Sequence, residues 1–234
     1  MIENKKLTFH QLLWYFIIFS IIGLLIETIF CYFTSGIIES RKGLLWGPFC
    51  PVYGVGAAIL IILLNRVDTN NYFKLFIYGF LIGSLLEYFM SYVLEAIYSI
   101  RFWDYTYTGN SINGRICILY SLFWGVLSIF LLKVAKPVID KLIEKIPKSI
   151  EKKLDIFITI FFILNTIITV WAISTYENRA AEIYNGTYND ISPEKSIIKN
   201  IEDKHFTNER MKKTFPNLRI KDKDGKEIWI KTII

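Results

Sequence analysis

Five long apolar segments occupy most of the first 175 residues, and they constrain the fold more than any other feature. A helix needs about 17–25 mostly apolar residues to cross the hydrocarbon core of a bilayer. Segments 12–33, 44–64, 75–100, 116–132 and 156–173 meet that requirement. The sequence therefore predicts an all-α membrane protein: a five-helix transmembrane bundle over residues 1–175, followed by a small α+β soluble tail over residues 176–234.

The basic residues between these segments indicate the orientation of the chain. Seven lysines stand before the fifth segment: Lys133, Lys136, Lys141, Lys145, Lys148, Lys152 and Lys153. Because short loops rich in Lys and Arg stay in the cytoplasm, we expect the N-terminus inside the cell and the tail outside. The same lysines contribute much of the net charge of +6, so the expected partner is the lipid bilayer and not nucleic acid.

Cysteine and histidine give no sign of a metal centre or a cofactor. Cys31, Cys50 and Cys117 lie in or beside apolar segments without CxxC spacing, and His10 and His205 are far apart. Neither a disulfide framework nor a zinc motif is indicated. We expect no cofactor, no metal and no catalytic residues.

The first and third segments share a short pattern. Residues 23–27 read Gly-Leu-Leu-Ile-Glu, and residues 83–87 read Gly-Ser-Leu-Leu-Glu. Each segment is followed by a polar loop and a second segment with an aromatic–glycine step, at Tyr53-Gly54 and Trp124-Gly125. This pattern predicts a parallel repeat of two helix pairs, one of the two arrangements found in transporters.

Carboxylates within the apolar segments are the most informative residues. Glu27 lies in the first segment, and Glu87 and Glu95 lie in the third. Such residues are costly in lipid and usually face a bundle interior or water. Each belongs to a stripe of small and polar residues four apart, and the stripe of the third segment includes Gly79-x-x-x-Gly83, the helix-dimerising spacing. The glutamates either hold the bundle together or line a cavity that binds a cation or polar substrate, and the glycines allow a homodimer.

Two loops carry residues that complement these carboxylates. Arg41 and Arg115 each precede an apolar segment, as natural partners for a carboxylate or an anionic ligand. The Pro- and Gly-rich stretch 43–56 either interrupts a helix at membrane depth or begins the second helix at Pro48 or Pro51. The expected substrate-binding residues are Glu27, Arg41, Trp46, Tyr53, Glu87, Glu95, Asp104, Asn113 and Arg115.

These loops resemble a family of bacterial membrane proteins, the CmpB-like ABC-transporter type IV family. The resemblance covers roughly residues 10–135. It rests on the run 41–54, on Leu86-Glu87-Tyr88, Trp103-Asp104-Tyr105 and Asn113-Gly-Arg115-Ile-Cys117, and on Ser121 and Trp124-Gly125. It implies an ABC-transporter-like permease in a bacterial cell membrane. No GxxxxGK[ST] phosphate-binding loop occurs, so an ATPase subunit would be a separate chain, for which residues 136–153 offer a cytoplasmic contact.

The tail mixes basic and acidic residues almost evenly. Two alternating runs around Asp224-Gly225 predict a β-hairpin, which would pack on the preceding helix or on a partner because a lone hairpin is marginal in water. The favoured function is a permease or substrate-binding membrane component with a polar intramembrane cavity. The alternatives are a non-catalytic accessory or scaffold protein that recruits partners through its tail, and, less favoured, a lipid-modifying intramembrane enzyme.

Overall fold

The structure is a computed structural model that describes residues 6–68, 70–98, 103–188, 197–222 and 225–234. It is mostly helical, at 71%. The helices are α1 (Phe9–Ser35), α2 (Pro51–Leu64), α3 (Tyr72–Tyr98), α4 (Ile118–Phe130), α5 (Lys136–Ile143), α6 (Lys148–Tyr184), α7 (Ile197–His205) and α8 (Asn208–Thr214). The strands are β1 (Ser111–Ile112), β2 (Ile116–Cys117), β3 (Arg219–Lys221) and β4 (Glu227–Trp229).

Four helical stretches among the described residues are long and apolar enough to cross a membrane: Phe9–Ser35, Tyr72–Ala96, Ile118–Ile143 and Lys148–Tyr184. Large apolar side chains on their surfaces are exposed, as expected of helices that face lipid, for example Phe73 at 74% and Phe157 at 68%. The end of the predicted third segment, residues 99–100, lies outside the described residues.

The predicted second span is shorter than expected, because residues 44–50 are not helical. The helix α2 begins at Pro51 and has 14 residues, a length of about 21 Å against a hydrocarbon core of about 30 Å. Pro51 occupies the first helical position, where its missing N–H costs no hydrogen bond. The five-helix count and the repeat therefore stay predictions.

The fifth predicted segment and most of the fourth are parts of longer helices, while residues 116–117 form the strand β2. The helix α4 continues through one π-helical turn, Leu131–Ala135, into α5, and α6 runs for 37 residues. The lysines that flank both apolar segments do not end the helices, because the aliphatic part of a lysine side chain packs along a helix while its ammonium group reaches water.

The chain divides into two compact units, one of Met1–Ser20 with Val52–Ile156 and the other of Ile21–Pro51 with Phe157–Ile234. The first unit has a core of fully buried side chains from α1, α2 and α3: Tyr15, Leu60, Ile61, Leu64 and Leu75. The helices α3 and α4 approach closely where Gly79 faces Ser128 and Gly83 faces Trp124. The Gly79-x-x-x-Gly83 spacing thus serves packing within one chain.

The second unit contains the tail, which folds as predicted around a hairpin. The strands β3 and β4 are antiparallel, with Ile220 opposite Ile228, while Asp224 of the predicted turn lies outside the described residues. Phe206, Met211 and Ile230 of the tail are buried. The tail packs on the last turns of α6, where Glu202 accepts hydrogen bonds from Trp171 Nε1 at 2.7 Å and from Thr175 Oγ1 at 3.0 Å.

Candidate functional site

Glu87 is the more buried of the two carboxylates in α3. Glu87 lies in the second half of α3 and is 9% exposed. Each carboxylate oxygen accepts one hydrogen bond: Oε1 from the Tyr105 hydroxyl at 2.8 Å and Oε2 from Trp124 Nε1 at 2.9 Å. Both donors are electrically neutral. The carboxylate is therefore solvated by the protein, but its charge is not cancelled by these partners.

Tyr105 reaches Glu87 from the loop between α3 and α4. Its main-chain N–H donates to the Gly114 carbonyl at 2.8 Å, and its ring stacks on Tyr120 with 4.6 Å between centroids. Burial raises the pKa of Tyr105, and the charge of the adjacent Glu87 raises it further. The phenol is consequently a hydrogen-bond donor at neutral pH.

Arg115 lies in the turn between β1 and β2 and contacts the next turns of α3, beyond Glu87. It is 9% exposed, and it donates from Nη1 to Ser91 Oγ at 3.0 Å and from Nη2 to Glu95 Oε2 at 2.5 Å. The strands β1 and β2 hold it in place through a tight turn, in which Asn113 and Gly114 adopt positive φ values of 52° and 68°. The predicted pairing of a loop arginine with an intramembrane carboxylate thus appears at Glu95.

Four side chains form one continuous line on α3, which we call the α3 polar row: Ser84, Glu87, Ser91 and Glu95. Ser84 begins the row with a hydrogen bond to Ser121 Oγ on α4 at 2.7 Å. Glu87 follows with its two neutral donors, and the pair of Arg115 and Glu95 closes the row at the end of the helix. Such a row of carboxylates and hydroxyls can pass or bind a cation.

In the second unit, residues 43–50 form a non-helical segment that is fixed to the middle of α6. Thr169 Oγ1 accepts a hydrogen bond from the main-chain N–H of Leu45 at 2.9 Å. The Asn165 side chain accepts from Trp46 N–H at 3.3 Å and donates to the Trp46 carbonyl at 2.9 Å. We call this contact the loop–α6 junction. It is deeply buried, since Asn165 is 1% exposed and Thr169 is 3% exposed.

The loop–α6 junction lies at the centre of the apolar stretch 156–173. Irregular backbone is tolerated at membrane depth only where protein or a cavity surrounds it, and here the polar side chains of α6 supply the missing partners. Of the two alternatives that the Pro- and Gly-rich stretch left open, the structure shows the second: residues 43–50 are not helical, and the helix α2 begins at Pro51. The fifth segment, predicted without a polar role, anchors this loop through Asn165 and Thr169.

The start of the same loop contacts the tail. Glu39 forms an ion pair with Lys231 at 2.9 Å, and the Asn217 amide, oriented by its hydrogen bonds, donates to Glu39 Oε2 at 3.2 Å and accepts from Arg41 Nη1 at 3.0 Å. The Arg210 guanidinium lies 6.0 Å from the centroid of the Trp46 ring. Arg41 and Trp46 thus each contact the tail.

The predicted site residues fall into separate groups. Asn113 donates to the Tyr88 hydroxyl at 2.9 Å beside Arg115. Asp104 accepts from the main-chain N–H of Thr106 at 2.9 Å and shapes the loop. Tyr53 is 37% exposed in the first turn of α2. Glu27 is half-buried, and Cys31 Sγ lies 3.9 Å from its Oε1.

Glu27, Arg41 and Trp46 belong to the second unit, and the other predicted site residues belong to the first. The expectation of one polar cavity shared by Glu27, Glu87 and the two arginines stays a prediction.

Comparison with known proteins identifies the family. No curated protein and no solved structure shows significant similarity to the chain. The sequence model of the family described as "Putative ABC-transporter type IV" matches residues 14–170, which contain the α3 polar row and the loop–α6 junction. Because the match covers more than half of the chain, this protein belongs to the ABC-transporter type IV (CmpB-like) family.

Proposed function

We propose that the chain is the membrane-embedded permease component of a transport system, and that Glu87 binds or relays the cation that it moves. Family membership and the apolar helices support a membrane protein related to transport. The bonding of Glu87 supports the finer assignment.

The observation that carries the proposal is the contrast between two carboxylates of one row. Glu95 is paired with the Arg115 guanidinium, so its charge is already compensated. Among the described residues, no lysine or arginine pairs with Glu87, whose partners are a phenol and an indole. A carboxylate in a bilayer costs on the order of 2.5–3.5 kcal/mol on insertion scales, and a bound proton or metal cation removes most of that cost.

The proposal is tested by replacing Glu87 with glutamine in the purified full chain. The amide has nearly the same shape, and the Tyr105 hydroxyl can rotate to accept from it, so the fold is expected to survive. Proteoliposomes loaded with a pH-sensitive dye report proton entry under a potassium diffusion potential. We expect wild-type flux, and its loss in Glu87→Gln at unchanged melting temperature.

The matched control is Glu182→Gln, which removes a carboxylate from an exposed position near the end of α6. It should leave the flux intact. A folded Glu87→Gln protein with full flux, or wild-type vesicles without any flux, would contradict the role of Glu87 in cation passage. Loss of folded protein in Glu87→Gln would instead assign Glu87 to packing.

The proposed orientation has the N-terminus in the cytoplasm and the tail on the opposite side. The first turns of α1 and α6 lie side by side, with His10 Nδ1 at 2.8 Å from Asp155 Oδ1, so both helices start from the same side of the membrane. A single crossing by α6 then carries the tail to the other side, whichever way α2 inserts. Accessibility of single cysteines at Lys6 and Lys226 to a membrane-impermeant maleimide tests this orientation.

The alternative role, an accessory protein that recruits partners through its tail, is less well supported. The tail's own side chains are used within the chain, as the contacts of Lys231 with Glu39 and of Arg210 with Trp46 show. We infer that the tail covers the loop and is not primarily a docking module for another protein. Removal of residues 197–234 should then alter flux in the same vesicles.

A further inference from the structure

Three potential metal ligands from distant parts of the sequence meet at the start of α1 and α6. His10 lies in the first turn of α1, and Glu151 and Asp155 lie one turn apart on α6. One ring nitrogen of His10 and one carboxylate oxygen from each acidic residue all lie within 4.8 Å of one another. These residues belong to the first unit, and none of them is part of the α3 polar row.

The ligand set has the chemistry of a transition-metal site. Zinc is bound by imidazole nitrogen and carboxylate oxygen at about 2.0–2.2 Å, and imidazole favours such metals over Mg²⁺ or Ca²⁺. Two carboxylates balance the charge of a divalent ion. His10 Nδ1 lies 2.8 and 2.9 Å from the two oxygens of Asp155. If these distances lengthened by a few tenths of an ångström, an ion could bind between the two side chains.

The surroundings supply the other parts of such a site. The side chains of His10 and Asp155 are each only 10% exposed, which shields them from bulk water. Trp14 Nε1 lies 3.3 Å from Asp155 Oδ1, and outer hydrogen bonds of this kind orient ligating carboxylates. A cavity of about 450 Å³ is lined by all three ligand residues, which leaves room for water to complete the coordination.

We propose that His10, Glu151 and Asp155 form a binding site for one divalent transition-metal ion of the Zn²⁺ type, which ties the start of α1 to the start of α6. Lys152 lines the same cavity and adds a positive charge there. The preference for this type of metal ion therefore comes from the imidazole and carboxylate ligands and not from a negative electrostatic potential. The site is independent of the proposed transport function, since it uses other residues and its test measures binding.

The test uses the full chain in detergent, freed of any affinity tag and stripped with a chelator. Zinc content after dialysis against Zn²⁺ is measured by mass spectrometry, affinity by competition with a chromogenic chelator, and coordination by the visible absorption of a Co²⁺ sample. We expect one ion per chain and a higher melting temperature with the metal. His10→Gln and Glu151→Gln should abolish both, while Trp14→Phe weakens binding by about 10- to 100-fold.

The matched control is His205→Gln, which removes the other histidine of the chain, at the end of α7. It should bind zinc as the wild type does. Glu151 is the decisive position, because it is half-buried in the first turn of α6 and its amide variant is expected to fold, as metal-free melting will show. Zinc binding that persists in folded His10→Gln and Glu151→Gln, or that is lost in His205→Gln, would overturn the proposal and leave a simple hydrogen bond between His10 and Asp155.

Discussion

Asn165 holds the main chain of Trp46 at both of its polar groups, donating from Nδ2 to the carbonyl at 2.9 Å and accepting from the N–H at 3.3 Å. One side chain therefore replaces the two hydrogen bonds that a helix would have given this residue. The arrangement lets a non-helical loop lie against the centre of an apolar helix, where lipid offers no partner.

Replacing Asn165 with leucine should destabilise the protein and free the loop. The Trp46 N–H and carbonyl would be left unpaired, and each buried unsatisfied group costs about 1–3 kcal/mol. We expect a lower melting temperature in detergent and faster maleimide labelling of Cys50. Cys31 and Cys117, both buried, provide internal references when labelling is quantified peptide by peptide.

Thr159→Val on the same helix is the control for that change. The Thr159 hydroxyl has no hydrogen-bond partner among the described residues, so its removal should be neutral or slightly stabilising. Equal melting temperatures for Asn165→Leu and wild type would show that the loop does not depend on this contact.

Gly83→Ala tests whether the glycine spacing of α3 serves packing within the chain. A Cβ at Gly83 would clash with the Cβ and Cγ atoms of Trp124, which cannot move away as a side-chain tip could. Overpacking of this kind costs about 1–3 kcal/mol. We expect a lower melting temperature, measured together with the oligomeric state by light scattering.

The comparison variant is Gly56→Ala, because a Cβ there has no neighbour within 4 Å. It should leave the melting temperature unchanged or slightly raised. If Gly83→Ala instead kept its stability and dissociated a dimer, the glycines would belong to an interface between two chains.

Tyr105→Phe should show a pH-dependent loss of stability. At neutral pH the variant lacks the hydrogen bond to Glu87, which we expect to cost about 0.5–1.5 kcal/mol. The pKa of Tyr105 is raised in the folded protein above the ordinary value of 10.0. A raised pKa means that its stabilising contribution is complete below pH 10 and is lost as the pH rises further.

The free energy of unfolding of wild type and variant should therefore converge above about pH 10. Chemical unfolding monitored by tryptophan fluorescence at several pH values measures the difference. Tyr107→Phe, in the same loop but 77% exposed, is the matched control. A gap between wild type and Tyr105→Phe that widens above pH 10 would contradict the assignment.

The ion pair between Glu39 and Lys231 predicts a reciprocal effect of charge reversal. Both side chains are partly exposed, at 23% and 33%, so the pair should contribute only about 0.2–1 kcal/mol. Limited proteolysis of the tail should be faster in Glu39→Lys and in Lys231→Glu, and slower again in the double variant. No recovery in the double variant would show that the two residues act separately.

The apolar segments and the chemistry of α3 could be predicted from the sequence because both depend on local pattern. Glu87 and Glu95 stood out as charges in an apolar run, and Arg115 as a loop cation that precedes the next apolar segment. The family resemblance was confirmed over most of the same region. The hairpin of the tail could be predicted for the same reason, because its signal lies in neighbouring residues of the sequence.

The remaining contacts depend on residues that are distant in sequence. Asn165 and Trp46 are 119 positions apart, and His10 and Asp155 are 145 apart, so no motif or periodicity joins them. The polar residues at positions 165 and 169 of a charge-free segment were the available signal. The length of the second helix was overestimated because Leu44 and Leu45 are apolar for a different reason: they are buried against protein within a loop.

The π-helical turn Leu131–Ala135 contains one residue more than an α-helical turn would. Each residue of an α-helix rotates the chain by about 100°, so this surplus residue turns all of α5 by that angle relative to a straight continuation of α4. Asp140, which accepts a hydrogen bond from the Tyr15 hydroxyl, lies beyond this point. The same residues wound as a regular α-helix would be equally hydrophobic, yet they would present a different face of α5 to α1. The winding of this segment, and not its composition, sets which side chains meet.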